Sequence, residues 1–433
     1  MTEVEVKDLP LYTKELRPLG EYDVAVMGGG PSGVCAAVEA ARGGSRVLLC
    51  EATGMLGGMA TSGMVGPFMT CYDREGNRPV VGGLFREIVD RLVAKRGAIP
   101  PEDADAPSIY TSFIGRYHRR VTPFDSFLLQ IVLDEMTKEA GVDVMLYTRF
   151  ADCVVSDGRI DCAVLLPLEG LSGVRAGVYI DATGNADVAA AAGVPVWKGD
   201  EKSGVPQPGT LMFEIGGVDD DRYRERAIKR VKAYRMPEKG RYKVNHFHTY
   251  STDAADSASM TESHMLARKQ VLEAFDILKN RTPGFEDSVF IAAAPVLGVR
   301  ESRHIRGRYL LTTEDLTAGR AFEDRIAAYA FGMDVHSRDP ADKGNFKIPT
   351  AEVYYVPYRS LLPLGADNLL VAGKTLSAES DAAGAIRVMP CAMATGQAAG
   401  AAAAIACARG IGPAEVDSSE LQSVLREHGA ILD

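Results

Sequence analysis

Hydrophobic and polar positions alternate between two periods from the start of the chain. An apolar run at 23–27 opens into Gly28-Gly29-Gly30-Pro31-Ser32-Gly33. Small residues at helical spacing follow (Cys35, Ala36, Ala37, Ala40, Ala41), Gly43 and Gly44 stop them, and a second apolar run at 46–50 ends on Glu51. This reads as strand, glycine turn, helix and strand. Helical spacing returns at 82–96, through Leu84, Phe85, Ile88, Leu92 and Val93, and again at 124–139, which Gly141 ends. Runs at 142–147, 153–156, 160–166 and 174–180, punctuated by Asp157-Gly158 and Ser172-Gly173, read as short strands joined by turns. An alanine-rich helix then leads to Gly193.

From Trp197 onward the pattern changes, which places a second domain here, with a strand near 210–215 and a charged helix near 219–234. Residues 295–310 read as a basic apolar strand or loop, 313–329 as a helix, and 353–358 and 368–371 as returning strands. After Gly373 a polar loop passes Arg387 and reaches Pro390, where a long alanine helix begins and runs to near Arg409; 418–427 is a last amphipathic helix. Residues 1–20, polar and broken by Pro10 and Pro18, read as a surface arm.

The opening unit carries chemistry. Gly28, Gly30 and Gly33 satisfy Gly-x-Gly-x-x-Gly after a strand and before a helix. Gly28 permits the tight turn, Gly30 admits a pyrophosphate against bare backbone, and Gly33 lets helix and strand pack closely. The helix N-terminus then faces the anion. Glu51 is placed to accept hydrogen bonds from ribose hydroxyls, which disfavours NADP. The alternative is a tight loop in an ordinary α/β domain. The next loop holds Gly54, Gly57, Gly58 and Gly63 with Met55, Leu56, Met59 and Met64 and almost no charge. It reads as a loop laid along a planar ligand rather than a flexible surface segment.

Composition narrows the classes. The 433 residues are 46% hydrophobic and 24% charged with a net charge of −10, which argues against a surface that tracks nucleic-acid phosphates. The N-terminus lacks the pattern of a signal peptide. The nearest imitation of a membrane helix, 396–407 with Gly396-x-x-x-Gly400, is short and mostly alanine, and reads as a helix buried against a sheet. Seven cysteines without a Cys-x-x-Cys pair exclude the usual iron–sulfur and zinc-ribbon spacings, and their odd number suits free thiols in a reducing cytoplasm. His246-x-His248 would put two rings on one face of a strand, but no third ligand is indicated, so no metal is expected.

The segments DVAVMGGGPSG, EATGMLGGMAT, IDATGNADVAAAAG, LGVRESRHIRG, NLLVAGKTLS and RVMPCAMATGQAAGAAAA together resemble the FAD-dependent oxidoreductases related to the glutathione-reductase and succinate-dehydrogenase flavoproteins. The resemblance implies an α/β fold: a Rossmann-like FAD-binding domain, with a parallel sheet, helices and a small β-meander, plus an inserted α+β substrate domain. FAD-binding parts would occupy 1–70, 121–200 and 346–433, a helical insert 71–120, and a substrate domain 201–345. By the same resemblance Gly28, Gly30, Pro31, Ser32 and Gly33 meet the pyrophosphate and Glu51, with Ala52, the adenosine ribose. Gly57, Gly58, Met59 and Ala60 run along the pyrophosphate and flavin, and Ala182, Thr183 and Gly184 close a third approach. Gly373 and the helix start at Cys391, Ala392 and Met393 reach the ribityl chain and the pyrimidine edge. Related flavoproteins usually carry Asp where this chain has Lys374.

The expected activity is hydride transfer between a small organic substrate and flavin N5. Arg300, Arg303 and Arg387, in apolar glycine-rich stretches, are candidates to clamp an anionic or polyhydroxy substrate. The alternative is that Arg300 and Glu301 make structural ion pairs. His336 is the candidate base. Cys391 is either a thiol with lowered pKa or a small residue that lets the flavin close in. Alternatives for the whole chain are a flavin subunit passing electrons to a partner protein, as in heterodisulfide-reductase-like assemblies, and an NAD-binding Rossmann protein. A homo-oligomer is compatible with the sequence.

Overall fold

Val24, Ala25, Val26 and Met27 are wholly buried, and an unbroken apolar run of this kind suits a strand covered on both faces. The computed structural model describes residues 13–104, 118–225, 232–342 and 345–433. In it β1 (Arg17–Met27) leads into α1 (Pro31–Arg42) and β2 (Val47–Cys50), which pairs in parallel with β1. Two helices, α2 (Gly83–Ala94) and α3 (Ser126–Ala140), follow. Asp125 caps α3 by accepting from the Phe127 and Leu128 amides at 2.9 Å, and left-handed Gly141 ends it. Then come β3 (Asp143–Met145), parallel to β2, and a meander of β4 (Arg149–Ser156), β5 (Arg159–Leu166) and β6 (Ser172–Asp181). β6 returns to pair in parallel with β1, Met27 opposite Asp181. That pairing reaches back to Arg17, so residues 17–20 extend a strand and are not the surface arm expected.

A second, antiparallel sheet is built from β7 (Phe213–Gly216), β8 (Ala233–Arg235), β9 (Tyr242–Val244) and β10 (Val289–Ala293), in the order β10-β7-β9-β8. The helix α4 (Ser257–Arg281) packs Ala267, Val271, Ala274 and Leu278 into a core with Phe213, Ile215 and Tyr242. Ala233 and Tyr234 lie in a strand, not in the charged helix expected over 219–234. That helix spans Asp220–Glu225 within the described residues. The helix expected over 313–329 stops at Ala318, where Gly319 adopts a left-handed cap, and Arg325–Tyr329 is a strand.

The chain returns through β11 (Met333–His336) and β12 (Leu369–Val371). β12 pairs in parallel with the end of β6, Val371 opposite Asp181, while β5 pairs with the start of β6. Three helices complete the chain: α5 (Ser380–Ile386), α6 (Met389–Arg409) and α7 (Ser418–Glu427). α6 lies on α1 so closely that a Cβ on Gly400 would stand 2.2 Å from the Ala36 carbonyl oxygen. With 21 residues α6 is long and apolar enough to cross a membrane, contrary to the shorter segment expected, but most of it is buried inside the protein.

Candidate active site

Gly28 and Gly33 of the opening turn and Gly58 of the next loop are fixed by contact, and Gly30 is left open. A Cβ on Gly28, which sits at φ +101°, would fall 2.4 Å from the Ala182 carbonyl oxygen, and one on Gly33 1.8 Å from the Gly28 oxygen. A Cβ on Gly58 would fall 2.9 Å from the Gly30 Cα. Gly30 itself has nothing within 4 Å of that position. Packing therefore explains Gly28, Gly33 and Gly58, while open space over Gly30 fits an extended anion lying on bare backbone at the start of α1.

Glu51 ties this turn to the next. Its Oε2 accepts from the Gly29 amide and its Oε1 from the Thr53 amide and hydroxyl, each at 2.8 Å. The Gly57 amide donates to the Gly29 oxygen at 2.7 Å, which places Gly57, Gly58, Met59 and Ala60 alongside. Ala52, next to Glu51, is exposed. On the opposite side the Ala182 amide donates to Met27 at 2.9 Å, and buried Asp181 holds the turn by accepting from Thr183 Oγ1 at 2.7 Å and the Ala189 amide at 2.9 Å.

The late part of the chain closes the cleft. A Cβ on Gly373, at φ +82°, would lie 2.7 Å from Ser32 Oγ, and the Gly373 amide faces Thr395 Oγ1 at 3.3 Å. Cys391, Ala392 and Met393 are buried in the first turn of α6, one turn before Gly396, which rests on Ser32 at the start of α1. Burial pushes the Cys391 thiol up to about 12, so it is a small apolar residue there and not an activated thiol. Lys374 extends past Gly184, its Cε 3.5 Å from a Cβ placed there, and its Nζ donates to the Val299 oxygen at 2.9 Å. Burial, then nearby Arg387, lowers its pKa to about 8.

Beyond Val299 the fold brings His336, Arg300 and Arg387 into one constellation. Asp334 and His336 alternate on β11 and so share a face. His336 Nε2 meets Asp334 Oδ2 at 3.2 Å, and Arg387, between α5 and α6, donates Nη2 to the Asp334 carbonyl oxygen at 2.9 Å and to Oδ2 at 3.3 Å. His336 Nδ1 meets His248 Nε2 at 3.2 Å, and His248 Nδ1 meets Thr210 Oγ1 at 3.0 Å. Arg300 Nη1 donates to Thr210 Oγ1 at 2.8 Å and to the Pro208 oxygen at 2.6 Å. Burial, reinforced by Arg300, holds both imidazoles far below the usual histidine range, His336 at about 3.

Neutral imidazoles have one donor and one acceptor each, so the tautomers follow from the partners. Asp334 is an acceptor, which puts the His336 proton on Nε2. His248 must then donate from Nε2, and Thr210 must donate to His248 Nδ1. The chain therefore has one direction, from Arg300 through Thr210, His248 and His336 to Asp334.

Arg303 is not in this group: its Nη1 reaches the Asn185 and Ala186 oxygens at 3.3 and 3.4 Å and pairs with Asp187 at 3.2 Å. Glu301 makes a structural ion pair, with Arg338 at 3.0 Å, whereas Arg300 bonds only neutral oxygens among the described residues. His246 and His248 follow β9 outside any strand, and no group of three metal-ligating side chains occurs among the described residues. Sequence reasoning missed Asp334, His248 and Thr210 as parts of one site. The alternation Asp334-x-His336 was a usable signal for the first, but His248 is 88 positions from His336 and only the fold joins them.

A glycine-turn strand–helix–strand unit whose open face is closed by a late helix defines a dinucleotide-binding α/β protein. The chain belongs to the FAD dependent oxidoreductase family, whose profile matches residues 23–425, and FAD is its cofactor. Among curated proteins, the thiamine thiazole synthase of Aeropyrum pernix is 31% identical over 174 residues, 38% of this chain and 54% of that protein. The digeranylgeranylglycerophospholipid reductase of Methanospirillum hungatei JF-1 is 31% identical over 166 residues, 38% of each. The chain thus spans about half or less of the length of these two relatives. The solved structure of the flavin-dependent brominase Bmp2 shares the fold, with a TM-score of 0.50 at 11% identity over 94% of this chain and 83% of that one.

Proposed function

We propose that the protein oxidises or reduces a small organic substrate by hydride transfer with bound FAD, and that Arg300, His336 and Arg387 form the substrate end of the site. The cofactor, when bound, supplies the two-electron chemistry. Gly28, Gly30, Pro31, Ser32 and Gly33 hold its pyrophosphate, and Glu51 with Ala52 its ribose. Gly57, Gly58, Met59 and Ala60, Ala182 to Gly184, Gly373 and Cys391 to Met393 line its course.

One observation supports the substrate end: the one-directional chain from Arg300 to Asp334 starts next to Val299, whose oxygen accepts from Lys374 beside Gly373. Both ring nitrogens of His336 are engaged, and the residue is 3% exposed. As a base it works through the chain: the proton lost by a substrate hydroxyl or amine enters at Thr210 Oγ1, itself only 4% exposed, each member hands its own proton to the next through His248 and His336, and Asp334 ends protonated. Arg387 fixes Asp334, which keeps His336 in the required tautomer.

The test is anaerobic bleaching of the flavin by a panel of hydroxy and amino metabolites. A metabolite that bleaches the wild type and fails, or slows by about 100-fold or more, with His336→Ala and Arg387→Ala supports the assignment. Full turnover in both variants removes these residues from the reaction.

A further inference from the structure

Building on that reading of the site, we propose that the substrate carries a carboxylate and that Arg300 is the residue that binds it, with Arg387 flanking.

Arg300 is a largely enclosed guanidinium whose acceptors are all neutral. Nη1 serves the Pro208 oxygen and Thr210 Oγ1, and Nη2 stands 3.5 Å from Asn245 Oδ1. No carboxylate lies within ion-pair distance of it among the described residues. The adjacent Glu301 is committed to Arg338 and His304, and Asp334 to Arg387 and His336. Arg387 gives only Nη2 to Asp334, and its Nε is buried without an acceptor. The two histidines beside Arg300 are neutral, so they add no compensating charge and take none away.

Of Arg300, Arg387 and Lys374, only Arg387 bonds a carboxylate directly, Asp334; Asp334 acts on Arg300 through space only, as Glu301 does on Arg387 and Lys374 and Asp187 on Lys374. An enclosed cation is stable only when paired. Lys374 stands beside Gly184 and one residue from Gly373, and its Nζ is spent on the Val299 oxygen. Arg300 faces the other way. Its partners Pro208, Thr210 and Asn245 come from the segments flanking β7 and β9, across Val299 from the glycine turn. A polyhydroxy substrate would offer acceptors but leave Arg300 without a directly bonded anion. A carboxylate supplies both, and suits the planar fork of a guanidinium.

The experiment titrates the FAD-loaded protein with malonate and benzoate, and with malonamide and benzamide as neutral isosteres, following the flavin spectrum. Saturable perturbation by a carboxylate, absent or much weaker with its amide, is expected. Arg300→Gln should weaken carboxylate binding by about 10- to 100-fold, the range for one charge-assisted hydrogen-bond donor, and Arg300→Lys should recover part of it. The proposal is overturned by no saturable response to either carboxylate, by amides binding equally well, or by unchanged carboxylate affinity in Arg300→Gln. It is equally overturned if Arg300→Gln loses FAD while the remaining holoprotein keeps its carboxylate affinity, because the guanidinium then serves the cofactor. If Arg300→Gln does not fold, Arg387→Gln replaces it under the same criteria. The reading of hydride transfer can fail separately, through a site that binds carboxylates tightly while no metabolite bleaches the flavin.

Discussion

Gly396 of α6 rests on Ser32 of α1 with no room for a side chain: a Cβ there would stand 2.1 Å from the Ser32 carbonyl oxygen. The two ends of the chain are thus in contact at the residue that opens the dinucleotide helix. Gly396→Val must force the helices apart, and overpacking of this kind costs about 1–3 kcal/mol or more. Chemical denaturation should show that loss, together with weaker FAD retention. A variant as stable as wild type would mean that the helices are not in contact there.

Gly30 and Gly33 should separate cofactor binding from folding. Gly30 has φ −69° and open space above it, so Gly30→Val should leave the stability of the apoprotein within about 0.5 kcal/mol while FAD affinity drops steeply. Gly33→Ala, whose Cβ would meet the Gly28 oxygen at 1.8 Å, should destabilise the apoprotein itself. Thermal melts without FAD and a fluorescence titration with it distinguish the two.

The buried histidine pair should make stability depend on acid. His336 and His248 have folded pKa values far below the ~6.5 of an unfolded chain. The native state therefore binds fewer protons than the unfolded one between those limits. Their contribution is present above about pH 6.5 and is lost as pH falls through the window toward about 3, at up to ~1.4 kcal/mol per pH unit for each ring. Urea midpoints of the wild type should fall between pH 6.5 and 5, and the decline should be shallower in a His248→Asn, His336→Asn double variant. Equal slopes would show that the rings are not held neutral.

Asp334 anchors two neighbours at once, Arg387 at 3.3 Å and His336 at 3.2 Å. Asp334→Ala should cost about 2–4 kcal/mol, since it leaves an enclosed guanidinium and an imidazole N–H without their acceptor. Asp334→Asn, which keeps the shape but can present an N–H to His336, should fold nearly normally and lose flavin bleaching by substrate. Unfolding curves and single-turnover reduction of the two variants check this.

What could be read from the sequence was what is encoded locally. The turn at Gly28 to Gly33, the stop at Gly141 and the helix at 418–427 depend on residues adjacent in the chain, and the structure has them at those places. α4 was not read because its buried stripe is Ala267, Val271, Ala274 and Leu278, where small residues weaken the periodic signal. Over 313–329 the apolar positions fit a helix, but left-handed Gly319 ends it and Arg325–Tyr329 gains more by pairing with Tyr354–Pro357. The substrate end was legible only in pieces. His336, Arg300 and Arg387 stood out as charged groups in apolar stretches, while Thr210 and His248 acquire their roles only once β7, β9 and β11 are assembled.

The most direct test is the visible absorption spectrum of the purified protein, taken before and after denaturation and again after titration with FAD. Flavin bands in the folded protein, or their appearance with saturation as FAD is added, are predicted. A colourless chain that takes up no FAD would contradict a cofactor held between the opening glycine turn and α6, and with it the site built beyond them.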